Sequence, residues 1–324
     1  MIKKIILISG DPNSINSEII FKSWKKIEPA IKEQIYLITN FKLINEQFNK
    51  LNYKIKTIKV ANIDETFKGN ELKILNVDIK YKHPFKISKK NVSKFIEKSF
   101  NLAHKLANFK HVSGIVNCPI NKELLNQKNP GITEYLASKC NIKNNSEAML
   151  IYNKKLSVSP ITTHVEIKNI SKKIKKNKIE VKVKTIDKWF KKIKKRKPRI
   201  AMLGLNPHNA ELKKNSEEIK IIIPAIKKLR KLGVNIKGPY IADTIFIKDY
   251  KNFDVIIGMY HDQVLAPFKA LFKFDAINIT LGLKYLRTSP DHGVARNIVG
   301  KNKADPNSLI SCLKFLNKKS NEIF

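Results

Sequence analysis

Three histidines stand at the same kind of place in this chain. Each closes a run rich in apolar residues: Ser159-Pro160-Ile161-Thr162-Thr163 leads to His164, Ile200-Ala201-Met202-Leu203-Gly204-Leu205-Asn206-Pro207 to His208, and Val255-Ile256-Ile257-Gly258-Met259-Tyr260 to His261. Read as strands and set parallel in one sheet, the three runs deliver their imidazoles to one edge. Such a trio, with positions left open for substrate, is a ligand set for one divalent cation (zinc, magnesium or cobalt) able to polarise an alcohol or a carbonyl. The intervals are too long for a local zinc motif, so this reading depends on the sheet. Two carboxylates accompany the histidines. Asp262 follows His261 directly and suits proton transfer or orientation of a ligand. Asp243, in Ala242-Asp243-Thr244, reads equally as a turn cap or as an acid–base group.

The elements that must position these groups are legible in outline. Ile5 to Ile8 is a short strand, Gly10-Asp11-Pro12 a tight turn, and an amphipathic helix begins near Ser17-Glu18, which together open a βαβ unit. Ile35 to Thr39 is the second strand. Apolar residues from Val92 to Ala107 follow helical spacing and feed a strand at Gly114-Ile115-Val116. Ser216 before Glu217-Glu218 starts a helix that Gly233 stops, and the two carboxylates are assigned to the helix dipole. Ala276 to Leu281 is a strand carrying Asn278 and Thr280. Arg287-Thr288-Ser289 and Asp291-His292-Gly293 then follow without a helix-forming run and read as a long polar loop suited to an anion or nucleotide. A helix from Asn307 through Leu316 closes the chain. No G-x-G-x-x-G follows any predicted strand, so a Rossmann nucleotide site is not indicated.

Composition bounds the function. A chain of 324 residues, 42% hydrophobic, implies two lobes of roughly 150 residues each. No apolar run approaches the roughly 18 residues of a membrane span, no signal-peptide core is present, and the expected location is cytoplasmic. Cys118, Cys140 and Cys312 have no metal or disulfide spacing and read as free thiols. The net charge of +37 suggests nucleic acid until its texture is examined. Only five of the cations are arginine, against 59 lysines spread through every segment, whereas base and phosphate recognition leans on the arginine fork. The densest run, Lys172 to Lys197, interleaves apolar residues and is read as a solvated face rather than a specific nucleic-acid site. His83, His104 and His111 lack neighbours at ligand spacing and are read as surface or satisfied side chains.

Several motifs, taken together, resemble one family. Tyr260-His261-Asp262-Gln263, Pro267 with Lys269, Asn278-Ile279-Thr280-Leu281-Gly282-Leu283, Arg287-Thr288-Ser289 and Asp291-His292-Gly293 are similar to motifs of the 4-hydroxythreonine-4-phosphate dehydrogenases of pyridoxal phosphate biosynthesis. Gly10-Asp11-Pro12, Pro119-Ile120-Asn121-Lys122, Thr133-Glu134, Thr163-His164, Gly204-Leu205-Asn206-Pro207-His208 and Ala242-Asp243-Thr244 extend the likeness over nearly the whole chain. The resemblance implies an α/β fold of the isocitrate/isopropylmalate dehydrogenase type, two α/β/α lobes with a central cleft. Residues 1–128 with 288–324 would form the first lobe; residues 129–287 would form the second and carry most metal and substrate ligands. It further implies a homodimer with the site at its interface, and NAD(P)-dependent oxidation and decarboxylation of a phosphorylated amino acid.

On that resemblance Thr133, Lys269, Asn278 and Arg287 bind substrate, Asp243, Asp262 and Lys269 are catalytic candidates, and His292, Gly293, Ala295 and Asn297 lie in a loop for NAD or NADP. The chain departs from the family pattern at five positions: Ile132 replaces a substrate-binding histidine, Ser14, Asn16 and Asn302 replace glycines, and Asn297 replaces an acidic residue. Ile132 keeps open a sister dehydrogenase acting on another phosphorylated hydroxy acid, such as a phosphothreonate. A basic nucleic-acid-binding protein and a catalytically silent scaffold are the rivals from other classes.

Overall fold

The computed structural model describes residues 3–65, 69–124, 131–142, 146–273 and 275–322, without the side chains of Lys122 and of residues 319–322. The Lys122 side chain, expected in a substrate-handling loop, and segment 125–130 beside it thus lie outside the described residues. The strands are β1 (Lys4–Ile8), β2 (Ile35–Thr39), β3 (Thr57–Val60), β4 (Leu72–Asn76), β5 (Val112–Asn117), β6 (Ala148–Tyr152), β7 (Ser157–Thr162), β8 (Ile200–Leu203), β9 (Ile236–Tyr240), β10 (Val255–Tyr260), β11 (Ile277–Leu281) and β12 (Arg287–Pro290). The longer helices are α1 (Asn16–Lys26), α2 (Phe41–Lys50), α3 (Lys89–Ala107), α4 (Ile132–Lys139), α5 (Lys176–Lys194), α6 (Ile223–Lys231), α7 (His261–Phe272) and α8 (Asn307–Glu322). None is long and apolar enough to cross a membrane, among the described residues.

The chain forms two compact units, Met1–Tyr135 with Lys284–Phe324, and Leu136–Leu283. The sequence expectation set the divisions at 128/129 and 287/288. Two local contacts account for the difference: the Tyr135 ring meets Phe100 of α3 edge-on at 5.9 Å, and the Leu286 carbonyl accepts from the Ile115 amide at 2.9 Å as β12 joins β5.

In the first unit six strands run in the order β3-β4-β2-β1-β5-β12, every pair parallel. Parallel strands covered on both faces require near-continuous apolar sequence, and Ile5, Ile6, Leu7 and Ile8 are all buried. β12 departs from expectation, because Arg287 to Pro290 is a buried strand rather than a polar loop. Arg287 finds a partner inside in Asn117, so the polar composition misleads.

In the second unit the order is β11-β6-β7-β10-β8-β9. β6 is antiparallel to both neighbours, whereas β7, β10, β8 and β9 are mutually parallel. Ile257 on β10 pairs with Ser159 of β7 on one side and Met202 of β8 on the other. The condition set by the three histidines is therefore met, since the carboxyl ends of β7, β10 and β8 lie side by side. The opposite ends are locked. Asp254 accepts from Arg196 at 2.7 and 2.8 Å and from the Arg199 amide at 2.8 Å. Burial alone would raise its carboxyl, but the two arginines outweigh burial and hold it well below the usual carboxylate range. α5 buries Ile179, Val183, Ile186 and Phe190 and turns most of its lysines to solvent.

Candidate active site

His261 is the first residue of α7, directly after β10; His164 follows β7 by two residues and His208 follows β8 by five. The rings of His164 and His261 approach with centroids 6.0 Å apart and planes tilted by 38°. Nδ1 of His261 lies 2.8 Å from Oδ1 of Asp262, a contact that orients the ring and presents Nε2, as carboxylates do for metal-binding imidazoles. His208 is exposed and sits on a turn where five successive residues, His208 to Leu212, have φ between 48 and 57°. None is glycine. Left-handed backbone costs roughly 1–2 kcal/mol per residue bearing a Cβ, so this turn must be held by what surrounds it. Among the described residues no three of His, Cys, Asp or Glu gather closely enough to hold a metal ion. The structure brings His164 to His261 and leaves His208 on the turn of the adjacent strand. In kind the donors fit a divalent cation: two facing imidazoles, one already oriented by a carboxylate, and a third at the same sheet edge.

Of the other candidates of this unit, Asp243 and Asp262 lie at that edge, whereas Asn278 is level, through Ile151, with Val158 near the opposite end of β7. Asp243 is exposed in the turn after β9, and Asp262 is exposed apart from its contact with His261. Lys269 is half-buried in the last turn of α7. Asn278 is half-buried on β11, and its Oδ1 is buried with no hydrogen-bond partner, the state of an acceptor built to receive a donor from outside.

In the first unit Thr133 is buried in the opening turn of α4, next to half-buried Ile132. Arg287 is only 1% exposed, and its Nε donates to Oδ1 of Asn117 at 2.7 Å. Burial lowers its guanidinium to about 10. His292 turns Nδ1 toward the Gly293 carbonyl at 3.0 Å, and its Nε2 is buried without a partner. Gly293 faces open space, Ala295 takes φ 43°, and Asn297 is exposed in a short helical turn, Arg296–Ile298. This loop is fastened to the turn after β1: the Ile15 amide donates to the Val294 carbonyl at 3.4 Å, and Arg296 meets the buried Asp11 carboxylate at 3.3 Å. Beside them is a cavity of about 490 Å³ lined by Asn13, Phe85, Lys86, Asn121, Arg296 and Val299. An unpartnered ring nitrogen, an open glycine and cations at a cavity fit the polar groups of a nicotinamide dinucleotide.

Comparison with known proteins decides the family. The sequence pattern of the pyridoxal phosphate biosynthetic protein PdxA matches residues 31–316. The chain belongs to the PdxA family. It is 39% identical over 321 residues, 96% of each chain, to the 4-hydroxythreonine-4-phosphate dehydrogenase of Sulfurihydrogenibium sp.. It is 31% identical, over 95% of this chain and 97% of the relative, to the D-threonate 4-phosphate dehydrogenase of Pectobacterium atrosepticum. The crystal structure of the 4-hydroxythreonine-4-phosphate dehydrogenase of Klebsiella pneumoniae superposes with a TM-score of 0.84 at 27% identity, covering 98% of this chain and 99% of that one. Isocitrate dehydrogenase from Methylococcus capsulatus, at 10% identity and a TM-score of 0.52, shares the fold alone. The chain is thus a dehydrogenase by family, and dehydrogenases of this family imply a nicotinamide cofactor.

Where the resemblance led glycines to be expected, the side chains present tie the backbone. The Asn16 amide donates to the carbonyls of Ser9 at 2.8 Å, Asp11 at 3.2 Å and Pro119 at 2.8 Å, and Ser14 Oγ donates to the Asp11 carbonyl at 2.5 Å. Asn302 takes φ 55°, the left-handed conformation that glycine would supply, and asparagine tolerates it. One group escaped the sequence reading. Glu217 and Glu218, assigned above to the helix dipole, point back to the loop after β8. Glu218 Oε1 accepts from the amides of Leu205 at 2.7 Å and Asn206 at 2.9 Å, and the Asn206 side chain donates to Glu217 at 2.9 Å and Glu218 at 3.0 Å. Burial acts to raise the Glu218 carboxyl, but these donors prevail and hold it below the usual value. A carboxylate at a helix start carries no sign in sequence of a partner twelve residues upstream.

Proposed function

We propose that this chain oxidises the secondary alcohol of 4-phosphooxy-L-threonine with NAD or NADP and decarboxylates the resulting β-keto acid to 3-amino-2-oxopropyl phosphate. The observation that carries the reading is the meeting of His164 and His261 at the shared edge of β7 and β10, with Asp262 orienting one ring. His164, His208 and His261 would hold one divalent ion, zinc, magnesium or cobalt. When bound, the ion would supply Lewis-acid polarisation of the substrate oxygen and the nicotinamide a hydride acceptor.

The protein's own groups do the rest. Lys269 and Arg287 offer cations to the phosphate and carboxylate, Thr133 a hydroxyl, and Asn278 an unpartnered acceptor for the amino group. Oxidation removes a hydride from carbon and a proton from the hydroxyl; Asp243 or Asp262 takes that proton. Loss of carbon dioxide leaves an electron pair on the α-carbon, and the same group returns a proton there. His292, Gly293, Ala295 and Asn297 would line the cofactor.

The reading includes a cytoplasmic homodimer with the site at its interface. Ile167, Leu212 and Ile247 are exposed apolar side chains on the loops that carry His164, His208 and Asp243, as an interface beside the site requires. It includes no specific nucleic-acid partner. Arg196 and Arg199 are engaged at Asp254 and Arg230 at the Ile236 carbonyl, which leaves Arg287 and Arg296 to the substrate and cofactor of this reading.

Ile132 and the relatives named for D-threonate 4-phosphate favour a second reading, in which the substrate is a phosphothreonate. Assay of wild type and Ile132→His with both substrates separates the two. If the threonine compound is the substrate, Ile132→His restores one donor and lowers its KM with little change in kcat. Turnover of the phosphothreonate alone by the metal-loaded wild type would replace the first reading with the second.

A further inference from the structure

The left-handed turn that carries His208 has no glycine, yet it is placed at the strand edge. What holds it is a small polar knot at the end of β8. Glu218 is fully buried, and the three donors resolved on its carboxylate all come from Leu205 and Asn206. Glu217 accepts from Asn206 and from Ser171 Oγ. Asn209, inside the turn, is 9% exposed and donates to the Pro239 carbonyl at 3.2 Å. Gly204 lets these groups close. A Cβ there would stand 2.0 Å from Asn209 Oδ1 and 3.1 Å from Glu218 Oε1, the first distance being impossible and the second tight. Gln263, two residues after His261, completes the knot: its Nε2 donates to the Gly204 carbonyl at 2.8 Å and its Oε1 accepts from the Met259 amide at 2.7 Å.

A carboxylate serving its own helix would accept from amides of the first turn. Glu218 instead reaches back to the approach of the His208 turn, while Gln263 fastens the same point to the strand that ends in His261. We propose that Glu218 is a positioning residue, which with Gly204, Asn209 and Gln263 holds the His208 turn against β10 and so sets the affinity of the histidine edge for a divalent cation. The proposal rests on the metal reading given above, but its mechanical half does not.

The test uses the full-length protein stripped of metal and titrated with cobalt(II), the ion alone, while its visible absorption is followed. In parallel the turn is probed by limited trypsin cleavage after exposed Lys213 and Lys214. Glu218→Ala is expected to weaken cobalt binding by about 10–100-fold, as loss of a buried support for a ligand does, and to speed cleavage at those lysines. Glu218→Gln, whose carbonyl still accepts from both amides, should recover most of both. Glu180→Gln is the control, because Glu180 is a buried carboxylate of the same unit paired with Lys228 at 2.7 Å; it should lower the melting temperature and leave cobalt affinity within threefold. Unchanged affinity and unchanged cleavage in Glu218→Ala overturn the proposal, as does an equal loss of affinity in the Glu180→Gln control. If wild type binds no cobalt while Glu218→Ala still opens the turn, the positioning role stands and the metal reading fails. Should Glu218→Ala not fold, Asn206→Ala removes the side-chain donor alone, and the same two readouts, in a milder form, decide.

Discussion

The turn after β1 and the edge beyond β7, β8 and β10 are built on opposite plans. In the first, Asn16 ties three carbonyls, Arg296 reaches buried Asp11, and Lys22 donates to the carbonyls of Asn302 at 2.9 Å and Ala304 at 3.0 Å while pairing with buried Glu18. In the second, His208, Asp243 and Asp262 are exposed. The side chains that stand where glycines were expected, Ser14, Asn16 and Asn302, all lie in the tied region. Where the backbone must only hold its shape, a side chain that supplies hydrogen bonds is as good as a glycine. Where a ligand must supply the missing partners, the residue types themselves are constrained.

If that contrast is sound, mutations in the two regions move different quantities. The largest effect is expected at His261. His261→Ala removes a ring oriented by Asp262, and loss of the chemistry it supports should lower kcat/KM by about three orders of magnitude, roughly 4 kcal/mol. The melting temperature should barely move, because the ring is partly exposed and its one resolved hydrogen bond is to an exposed carboxylate. Circular dichroism melts beside steady-state rates measure both. A large drop in melting temperature without a matching loss of rate would erase the contrast.

Asn16→Ala should do the reverse. It removes the side-chain amide from three carbonyls, of which Asp11 keeps the Ser14 hydroxyl and Pro119 keeps the Asp11 amide, at a cost of roughly 2–3 kcal/mol. For a unit of this size that lowers the melting point by about 5–10 °C. The kcat of the protein still folded at 25 °C should stay within about threefold, a change worth less than roughly 0.7 kcal/mol in the barrier. A hundredfold fall in kcat at unchanged stability would show that the turn is itself part of the chemistry.

The same contrast explains what could be read from sequence. The histidine strands were legible because apolar runs that stop abruptly at polar residues are the pattern of parallel strands reaching a sheet edge, and β7, β10 and β8 are neighbours. β12 was not, because Arg287 and Thr288 are polar by type yet buried, Arg287 against Asn117. Glu218 does stand in the first turn of its helix, but its second role was missed for a related reason: a helix start explains an acidic residue well enough that nothing prompts a search for Leu205 and Asn206. Long-range pairing of polar groups leaves no periodicity, so the groups that support a site are harder to read than those that compose it.

The smallest effect, and the sharpest test of the tied region, belongs to Asn302. Its φ of 55° is one that glycine adopts freely, asparagine tolerates and alanine resists. Its Oδ1 accepts from the Tyr53 hydroxyl at 3.0 Å at an exposed position, a bond that water can replace at little cost. Asn302→Gly, which restores the family residue, should therefore change stability by no more than about 0.5 kcal/mol: relief of residual strain offsets the entropy gained by the unfolded chain. Asn302→Ala should cost about 1 kcal/mol, since it keeps the strain and loses the side chain's local compensation. Urea unfolding resolves that difference. The KM for the nicotinamide cofactor adds the functional half: if the loop needs only its shape, KM is unchanged in the glycine variant and rises in the alanine one. A severalfold fall in KM on Asn302→Gly would mean that the asparagine side chain stands where cofactor belongs, and the tied region would then be obstructing a ligand rather than merely keeping its own form.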